Sequence, residues 1–398
     1  MYGHYMTNQI MIIGGGIAGP VAAMALERIG LPSVLFEAHE RGSEGVGAFL
    51  TLAVNGLEAL DLLGLRDTVC DLGMDTPRMK LISGRGKELG AFPMPAHTVG
   101  RGELYAVLRD EAVRRGAELR YGKRLEAAEP TADGVRAWFS DGSTADGALL
   151  VGADGLRSRT RQIIDPNAPT ARHIGLLNVG GYARGLAPEG EPGTAHFVFG
   201  RRCFFGYFIH PDGDVWWFAN PPSPTEPSRE QLLAITSDQW RERLTDLFAG
   251  DTGPMLDIIA ATAQILPGWN TYDLPRVPIW HNDRMVIIGD AVHAASPSSG
   301  QGASMAIEDA IVLATCLRDL PEPAAAFAAF QRLRRERVER VVRHGKRSGD
   351  GKAAGPVAAR VRDLMLPVIM RRMANGHGLD WMYDHRIDWD ANVAATTS

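Results

Sequence analysis

A glycine-rich turn near the start of the chain, GGGIAG at residues 14–19, constrains the fold more than any other feature. The four apolar residues before it, 10–13, are typical of a buried parallel strand, and the pattern after it predicts a helix over about 17–29. In such a unit the first glycine permits the tight turn, the second lets the backbone approach a pyrophosphate, and the third lets helix and strand pack closely. We therefore expect a dinucleotide-binding βαβ unit.

An acidic residue ends the next predicted strand, 34–37, at Glu37. A carboxylate there can accept hydrogen bonds from both hydroxyl groups of an adenosine ribose, whereas it would repel a 2′-phosphate. The free N–H groups and the dipole at the start of the preceding helix favour phosphate charge. These features alone are equally compatible with NAD and FAD.

The composition excludes several other classes of protein. The chain has 398 residues and a net charge of −5, which gives no electrostatic footprint for nucleic acid. Cys70, Cys203 and Cys316 form no CxxC pair, so neither a disulfide framework nor a cysteine metal site is indicated, and a cytoplasmic setting is favoured. No run approaches the roughly 20 apolar residues of a membrane span. We expect no integral membrane segment and no metal.

Two later motifs distinguish between the two dinucleotides. Residues 151–161 read VGADGLRSRTR, centred on Asp154 and Gly155. Residues 289–302 read GDAVHAASPSSGQG, and residues 308–310, EDA, continue this pattern. With the glycine turn, these segments resemble the three fingerprints of the class A flavoprotein monooxygenases, the para-hydroxybenzoate hydroxylase-like family, in their expected order. The resemblance implies FAD as the cofactor.

The resemblance also implies an α/β fold with a Rossmann-like FAD-binding domain, an inserted antiparallel-sheet substrate domain and C-terminal helices. The corresponding division assigns FAD binding to residues 8–75, 98–170 and 272–322, substrate binding to 76–97 and 171–271, and a C-terminal helical segment to 323–398. The basic run at 332–347 is predicted to be a solvated helix face, because acidic residues interrupt it.

Asp290 follows a predicted buried strand, where its carboxylate can hold a ribityl hydroxyl of FAD. The loop that follows enters a helix near Ala303, so the amides of Ala303 and Ser304 would point at the flavin N1–C2=O edge and stabilise its charge when reduced. The family resemblance places the backbone of Pro297 beside flavin C4a, and an arginine such as Arg101 against FAD. The predicted cofactor-binding residues are Gly14, Gly16, Ala18, Gly19, Glu37, Arg101, Asp154, Gly155, Gly289, Asp290, Gly300, Gly302, Ala303 and Ser304.

The aromatic strands of the middle region suggest walls for a substrate pocket. Alternation places Phe205 and Tyr207 on one face of a sheet, and Trp217 lies in the next strand candidate. These three residues are the predicted pocket walls, with ordinary sheet core as the alternative. Elsewhere, residues 118–121, 124–129 and 135–140 predict a small antiparallel meander, and 231–248 predict one helix.

In the family that the chain resembles, NADPH or NADH reduces FAD, molecular oxygen adds at C4a, and the hydroperoxide passes one oxygen atom to the substrate. This implies an NAD(P)H-dependent monooxygenase that hydroxylates a small aromatic or polycyclic compound. The alternatives are an epoxidase or other oxygenase of a natural product, a reductase or oxidase without oxygen transfer, and a flavin- or ligand-binding protein without turnover. A monomer or a homodimer is expected, and the choice between NADPH and NADH stays open.

Overall fold

The computed structural model describes residues 9–40, 48–186, 188, 190–295, 299–350, 363, 365 and 379–393. Its strands are β1 (Ile10–Ile13), β2 (Ser33–Phe36), β3 (Phe49–Ala53), β4 (Gly73–Ser83), β5 (Glu88–Gly100), β6 (Glu118–Arg120), β7 (Leu125–Pro130), β8 (Val135–Phe139), β9 (Thr144–Gly147), β10 (Leu149–Gly152), β11 (Arg172–Ala183), β12 (Thr194–Phe199), β13 (Phe204–Ile209), β14 (Val215–Asn220), β15 (Trp269–Asp273) and β16 (Met285–Ile287). Its helices are α1 (Ala18–Arg28), α2 (Val54–Asp61), α3 (Arg66–Cys70), α4 (Arg101–Arg114), α5 (Arg159–Ile164), α6 (Arg229–Ala234), α7 (Ser237–Phe248), α8 (Met255–Ala261), α9 (Asp290–His293), α10 (Gly302–Asp319), α11 (Pro323–Asp350) and α12 (Asp380–Tyr383).

A parallel sheet with the strand order β16-β10-β1-β2-β6 forms the dinucleotide-binding half of the molecule. Four of its five strands, β1, β2, β10 and β16, are buried along their whole length, as their apolar sequences require. The three sequence motifs follow β1, β10 and β16, which are neighbours in the sheet. Because parallel strands end at the same edge, the three motifs converge there.

A three-stranded antiparallel sheet, β7-β8-β9, packs against the parallel sheet, where Phe139 stacks on Phe36 with 4.6 Å between ring centroids. The meander predicted from the sequence is wrong in one strand. Residues 118–120 form β6 and pair with β2 at the edge of the parallel sheet, and residues 144–147 supply the third strand of the meander. Local patterns identify a strand but not its partner, because pairing depends on long-range contacts.

The second large sheet has eight strands in the order β15-β11-β14-β13-β12-β4-β5-β3. Its neighbouring strands are antiparallel except β12 and β4, which run parallel. Helices α7 and α8 cover one face and complete an apolar core with it. The predicted domain boundaries at residues 76 and 97 fall within β4 and β5. Each of these long strands extends past the boundary and stays in the same sheet.

This sheet curls until its two ends approach each other. The ring of Phe49 on β3 lies 5.3 Å from Phe208 on β13 and 5.6 Å from Trp216 on β14, although β3 is at the opposite end of the sheet order. The hydroxyl of Tyr182 on β11 donates to the carbonyl oxygen of Ala48, just before β3, at 2.6 Å. The uncovered face is therefore concave.

The helix predicted over 231–248 is two helices, α6 and α7. Thr236 caps α7 through its side chain, which accepts from the backbone N–H of Gln239, while the Gln239 side chain accepts from the Thr236 N–H. This capping box starts a new helix where apolar spacing alone suggested continuity. Within the described ranges, no helix is long and apolar enough to cross a membrane.

Candidate functional site

The glycine turn after β1 is tightly packed at two glycines and open at the third. Gly14 has a φ of 111°, and a Cβ there would lie 2.3 Å from the carbonyl oxygen of Ala153. A Cβ on Gly19 would lie 1.9 Å from the carbonyl oxygen of Gly14, so helix and strand approach only because that side chain is absent. A Cβ on Gly16 would meet no described heavy atom within 4 Å. The turn thus leaves space where a pyrophosphate is predicted.

Glu37 is held in place beside this turn. Its carboxylate accepts hydrogen bonds from the backbone N–H groups of Gly15 at 2.7 Å and His39 at 2.9 Å, and the residue is only 7% exposed. An ionised carboxylate offers about four lone-pair positions, so acceptor capacity remains for ribose hydroxyls. The geometry fits the predicted adenosine contact.

The third motif meets the first across the edge of the parallel sheet. Gly289 has a φ of 61°, and a Cβ there would lie 3.3 Å from the side chain of Ala18. Asp290 follows at once and is exposed, although the strand before it is buried. Its carboxylate lies 3.9 Å from the position of a Cβ on Gly302. An exposed carboxylate at this edge suits a polyol such as a ribityl chain.

Helix α10 presents its N-terminus to the same space. Its first intrahelical bond runs from the N–H of Met305 to the carbonyl oxygen of Gln301, at 2.9 Å. The N–H groups of Gly302, Ala303 and Ser304 therefore lack acceptors inside the helix. Gly302 and Ala303 are partly exposed. Together with the helix dipole, these donors favour negative charge at this point.

The carboxylate of Asp154 in the second motif is bonded to the start of α5, and its contact with the cofactor stays a prediction. One oxygen accepts from the Ser158 hydroxyl at 2.5 Å. The other accepts from the N–H groups of Arg159 at 2.8 Å and Thr160 at 2.9 Å, and from the Thr160 hydroxyl at 3.0 Å. This carboxylate caps α5 and shapes the loop. Gly155, with a φ of 73° and open space beside its Cα, remains the better candidate for close contact with a cofactor.

Arg161 ties the second motif to the third. Its guanidinium donates to the carbonyl oxygens of Ala291 at 2.8 Å and Leu156 at 2.9 Å, and the residue is 2% exposed. Burial lowers the pKa of this guanidinium from its ordinary value, although the nearby Asp154 opposes that effect. The arginine thereby fixes the relative position of two loops that follow neighbouring strands.

A buried ionic network lies under the third motif, and the sequence analysis did not predict it. Asp309 on α10 accepts from the N–H of Gly289 at 2.9 Å and from Arg334 on α11 at 2.7 Å, and it lies 2.6 Å from His293 Nε2. Burial alone would raise the pKa of Asp309, but His293 and Arg334 lower it to about 2. Burial alone would lower the pKa of His293, but Asp309 raises it. His293 is thus held inside the protein by its ion pair with Asp309.

Glu308 extends the network toward the N-terminus of α10. It pairs with Arg334 at 2.7 Å and Arg337 at 2.8 Å, and it accepts from the Asn55 amide at 2.7 Å. The same amide donates to the side-chain oxygen of Gln301 at 3.0 Å. Burial would raise the pKa of Glu308, but the arginines lower it to about 2. A chain of contacts therefore connects α11 with the start of α10.

Two buried amide atoms in this chain of contacts have no partner within the described residues: Oδ1 of Asn55 and Nε2 of Gln301. Both residues are almost fully buried, at 1% and 0% exposure. Buried polar atoms are nearly always hydrogen-bonded, so orphaned ones beside an open helix N-terminus fit a site for a polar ligand. The residues present are thus compatible with FAD.

The prediction of a solvated basic face on α11 is wrong for part of the run. Arg334 is 1% exposed and Arg337 is largely buried, because both turn toward the acidic pair 308–309. The sequence does contain the residues for such ion pairs, because the third motif has two acidic residues and the later helix has several arginines. Sequence spacing could not show that these elements pack together.

Three remaining predictions concern single positions. Arg101 begins α4, and its Nε donates to the Tyr105 hydroxyl at 2.8 Å, so its contact with FAD stays a prediction. Gly300 has a φ of 61° and open space beside it, as a loop entering a helix requires. Pro297 lies outside the described residues.

The predicted pocket walls lie on the wrong face of the curved sheet. Phe205 and Tyr207 do share a face, but with Trp217 they pack under α7 and α8 in the core. Their exposures are 0%, 3% and 0%, and Phe205 meets Phe248 of α7 edge-on at 5.3 Å. These side chains fill the sheet–helix interface, which corrects the expectation of a pocket there. A shift of one residue along a strand changes the face.

The opposite, concave face has a second aromatic cluster. It comprises Phe49, Phe197, Phe208, Trp216 and Phe218, packed with methionines and alanines. All but Phe208 are only partly buried, unlike the core face. We call this group the concave aromatic cluster. Large apolar side chains left partly uncovered on a concave surface are typical of a ligand site.

Comparison with known proteins agrees with this geometry. Residues 7–344 match a family model described as FAD binding domain. The chain is 30% identical to aurachin C monooxygenase/isomerase from Stigmatella aurantiaca, over 90% of this chain and 93% of that protein. It is 31% identical to the FAD-dependent urate hydroxylase of Klebsiella pneumoniae, over 85% and 89%.

Solved structures with the same fold cover nearly the whole chain. HpxO from Klebsiella pneumoniae, complexed with FAD and uric acid, superposes with a TM-score of 0.82 at 26% identity, covering 96% of this chain and 98% of that one. A salicylate hydroxylase substrate complex gives a TM-score of 0.75 at 20% identity, covering 96% and 99%, and supports the fold alone.

Proposed function

The chain belongs to the class A FAD-dependent flavoprotein monooxygenase family, and we propose that it uses FAD, reduced by NADPH or NADH, to hydroxylate a small aromatic or heteroaromatic compound. As a member it is an FAD-dependent oxidoreductase. Relatives at similar identity include 3-hydroxybenzoate 6-hydroxylase 1 of Aquipseudomonas alcaligenes, which is 29% identical over 90% of this chain. The activities for which these relatives are named support a ring-bearing substrate.

One observation carries the proposal: the concave face adjoins the predicted flavin edge. Strand β3 bears Phe49 of the concave aromatic cluster and ends at Ala53, whose N–H donates to the Ser304 hydroxyl in the first turn of α10 at 3.2 Å. Asn55, immediately after β3, reaches Gln301 at the start of α10. A ring compound on the concave face would therefore lie beside a flavin at the α10 N-terminus.

When bound, FAD supplies the hydride acceptance and the oxygen transfer. The protein's own residues would bind the cofactor, orient the substrate and shield both from water. The turn at Gly16 would receive the pyrophosphate, Glu37 the adenosine ribose, and Asp290 a ribityl hydroxyl. The N–H groups at the start of α10 would stabilise negative charge on the flavin pyrimidine ring. The concave aromatic cluster would orient the substrate ring and exclude water.

The test is NADPH and NADH oxidation by the FAD-loaded protein with a panel of phenols, N-heteroaromatics and polycyclic aromatics under labelled oxygen. We expect a ring compound to stimulate oxidation and to acquire one labelled oxygen atom. Label in an epoxide would favour the epoxidase alternative. Stimulated oxidation that yields hydrogen peroxide and no labelled product would contradict oxygen transfer and favour a reductase or oxidase.

A further inference from the structure

Four strands of the concave face, β3, β12, β13 and β14, are neutral as well as aromatic. Alternation assigns every second residue of a strand to this face, and on β3, β12, β13 and β14 these positions hold only Phe, Trp, Ala, Gly, Thr and Asn. No described inward position on these four strands has a charged side chain. A carboxylate bound here would find no cation on these strands to replace its water shell.

Two basic side chains near the ends of these strands have acidic partners. Arg184, beyond the end of β11, lies 3.4 Å from Asp214, and its side chain is 83% exposed. His210 lies 2.7 Å from Asp212, with its ring stacked on Trp216 at 5.2 Å. Arg184 is largely in solvent, and His210 is partly buried against Trp216 with Asp212 beside it. They do not supply a free positive charge to the floor of the concave face.

Neutral hydrogen-bonding groups are present beside the aromatic rings. On the same face, the hydroxyl of Thr51 lies 3.1 Å from that of Thr98, which lies 2.8 Å from that of Thr76. Thr51 is partly exposed and the other two are buried. A hydroxyl row of this kind can donate to or accept from a neutral hydroxyl or carbonyl group. It cannot compensate a full negative charge.

The width of the aromatic surface favours more than one ring. Phe197, Phe208 and Trp216 lie on three adjacent strands, β12, β13 and β14. Adjacent strands are about 4.8 Å apart, so these rings span roughly 10 Å. The negative faces of aromatic rings repel an anion and attract the positive edge of another ring. Burial of an unpaired carboxylate is strongly unfavourable.

We infer that this site selects an uncharged, fused-ring aromatic with a neutral hydroxyl or carbonyl group, and that it discriminates against carboxylated aromatics. The inference rests on the proposed function for the location of the site and adds the charge and ring number of the substrate. The discriminating residues are Trp216 and Phe218, with Thr51 as the polar contact.

The test measures binding to the FAD-loaded protein through the change in the flavin absorbance spectrum. Two matched pairs of probes are used: 4-hydroxyquinoline with 4-hydroxyquinoline-2-carboxylate, and 1-naphthol with 1-hydroxy-2-naphthoate. We expect each neutral probe to bind at least about tenfold more tightly than its carboxylated partner. This comparison needs no variant, so it decides the matter even if a variant fails to fold.

Variants on the face sharpen the result. Phe218→Arg should reduce or reverse the preference, because it supplies a cation, whereas Phe218→Leu should weaken all binding and keep the preference. Ile209→Val, on the covered face of β13, is the matched control and should leave the ratio unchanged.

Equal binding within each pair, tighter binding of the carboxylates, or no binding of any probe would overturn the inference. The labelled-oxygen experiment fails independently of this one. A neutral preference without oxygen incorporation would keep the selectivity and remove the monooxygenase proposal. Efficient hydroxylation of a carboxylated ring would do the reverse.

Discussion

The two large sheets of this molecule present opposite kinds of surface. The parallel sheet offers loop backbone at its carboxyl edge, shaped by glycines at positions such as Gly14 and Gly19 and braced by buried ion pairs. The curved sheet presents mostly apolar and aromatic side chains on the concave face of its strands. Recognition of a constant cofactor uses backbone, whereas recognition of a variable substrate uses replaceable side chains.

The largest expected effect is a difference between substitutions at two glycines of the same turn. Gly19→Val should abolish soluble folded protein, because its Cβ would overlap the carbonyl oxygen of Gly14. Gly16→Val should fold, because a Cβ there meets no described atom, yet it should lose FAD by about 100-fold or more, roughly 2.7 kcal/mol. Circular dichroism and flavin content of the purified variants measure both effects. A fully yellow Gly16→Val protein would remove the assignment of the pyrophosphate to this turn.

The next effect compares the two faces of the curved sheet. Phe205→Ala should lower the free energy of unfolding by about 4 kcal/mol, because it leaves a cavity under α7. Phe218→Ala, on the partly open face, should cost clearly less stability and weaken substrate binding instead. Urea denaturation and ligand titration together give the comparison. If Phe205→Ala proved the one that weakened binding, our reassignment of the pocket would be wrong.

A smaller effect tests the ionic brace of the parallel-sheet domain. Glu308→Gln should cost about 3 kcal/mol of unfolding free energy, because it leaves Arg334 buried with less compensation. Glu339→Gln, which removes more exposed ion pairs of α11, is the control and should cost under about 1 kcal/mol. Equal losses in urea denaturation would show that the buried network carries no special stability.

The same variant has a defined pH dependence. The folded-state pKa of Glu308, about 2, is below its ordinary 4.5, so its contribution is complete above about 4.5 and is lost as the pH falls toward 2. The stability difference between the wild type and Glu308→Gln should therefore shrink as the pH falls through this range. Denaturation curves between about pH 5 and 3 measure it, and a constant difference would contradict the low pKa.

The smallest effect is expected at Asp290. Because this carboxylate is exposed, Asp290→Ala should leave the stability of the apoprotein unchanged. It should weaken FAD retention by about tenfold, roughly 1.4 kcal/mol, through the loss of a ribityl contact. Equilibrium dialysis of FAD against the apoprotein is the measurement. Unaltered affinity would move the ribityl contact to another residue.

The cofactor-binding residues beside the parallel sheet were easier to predict than the proposed substrate-binding residues of the curved sheet. Gly14, Gly19 and Glu37 occupy backbone geometries or strand ends that few residue types can fill, so the motif reports the geometry. Phe205 and Phe208 are the same residue type on one strand, and nothing in their local sequence tells which face a helix will cover. The predicted domain boundaries and the contact of Arg101 with FAD stay predictions.

The amino-acid sequence by itself determined the dinucleotide-binding strand–turn–helix unit, because glycine turns and buried strands are local patterns with few alternatives. It led to FAD and to the family through the resemblance of three motifs. Tertiary structure alone decided that Asp154 caps a helix, that Arg334 and Arg337 are buried against Glu308, and that Phe205 and Trp217 lie in the covered core while the concave aromatic cluster lies on the opposite face. Each of these outcomes depends on elements far apart in the chain packing together, and residue spacing does not encode such contacts.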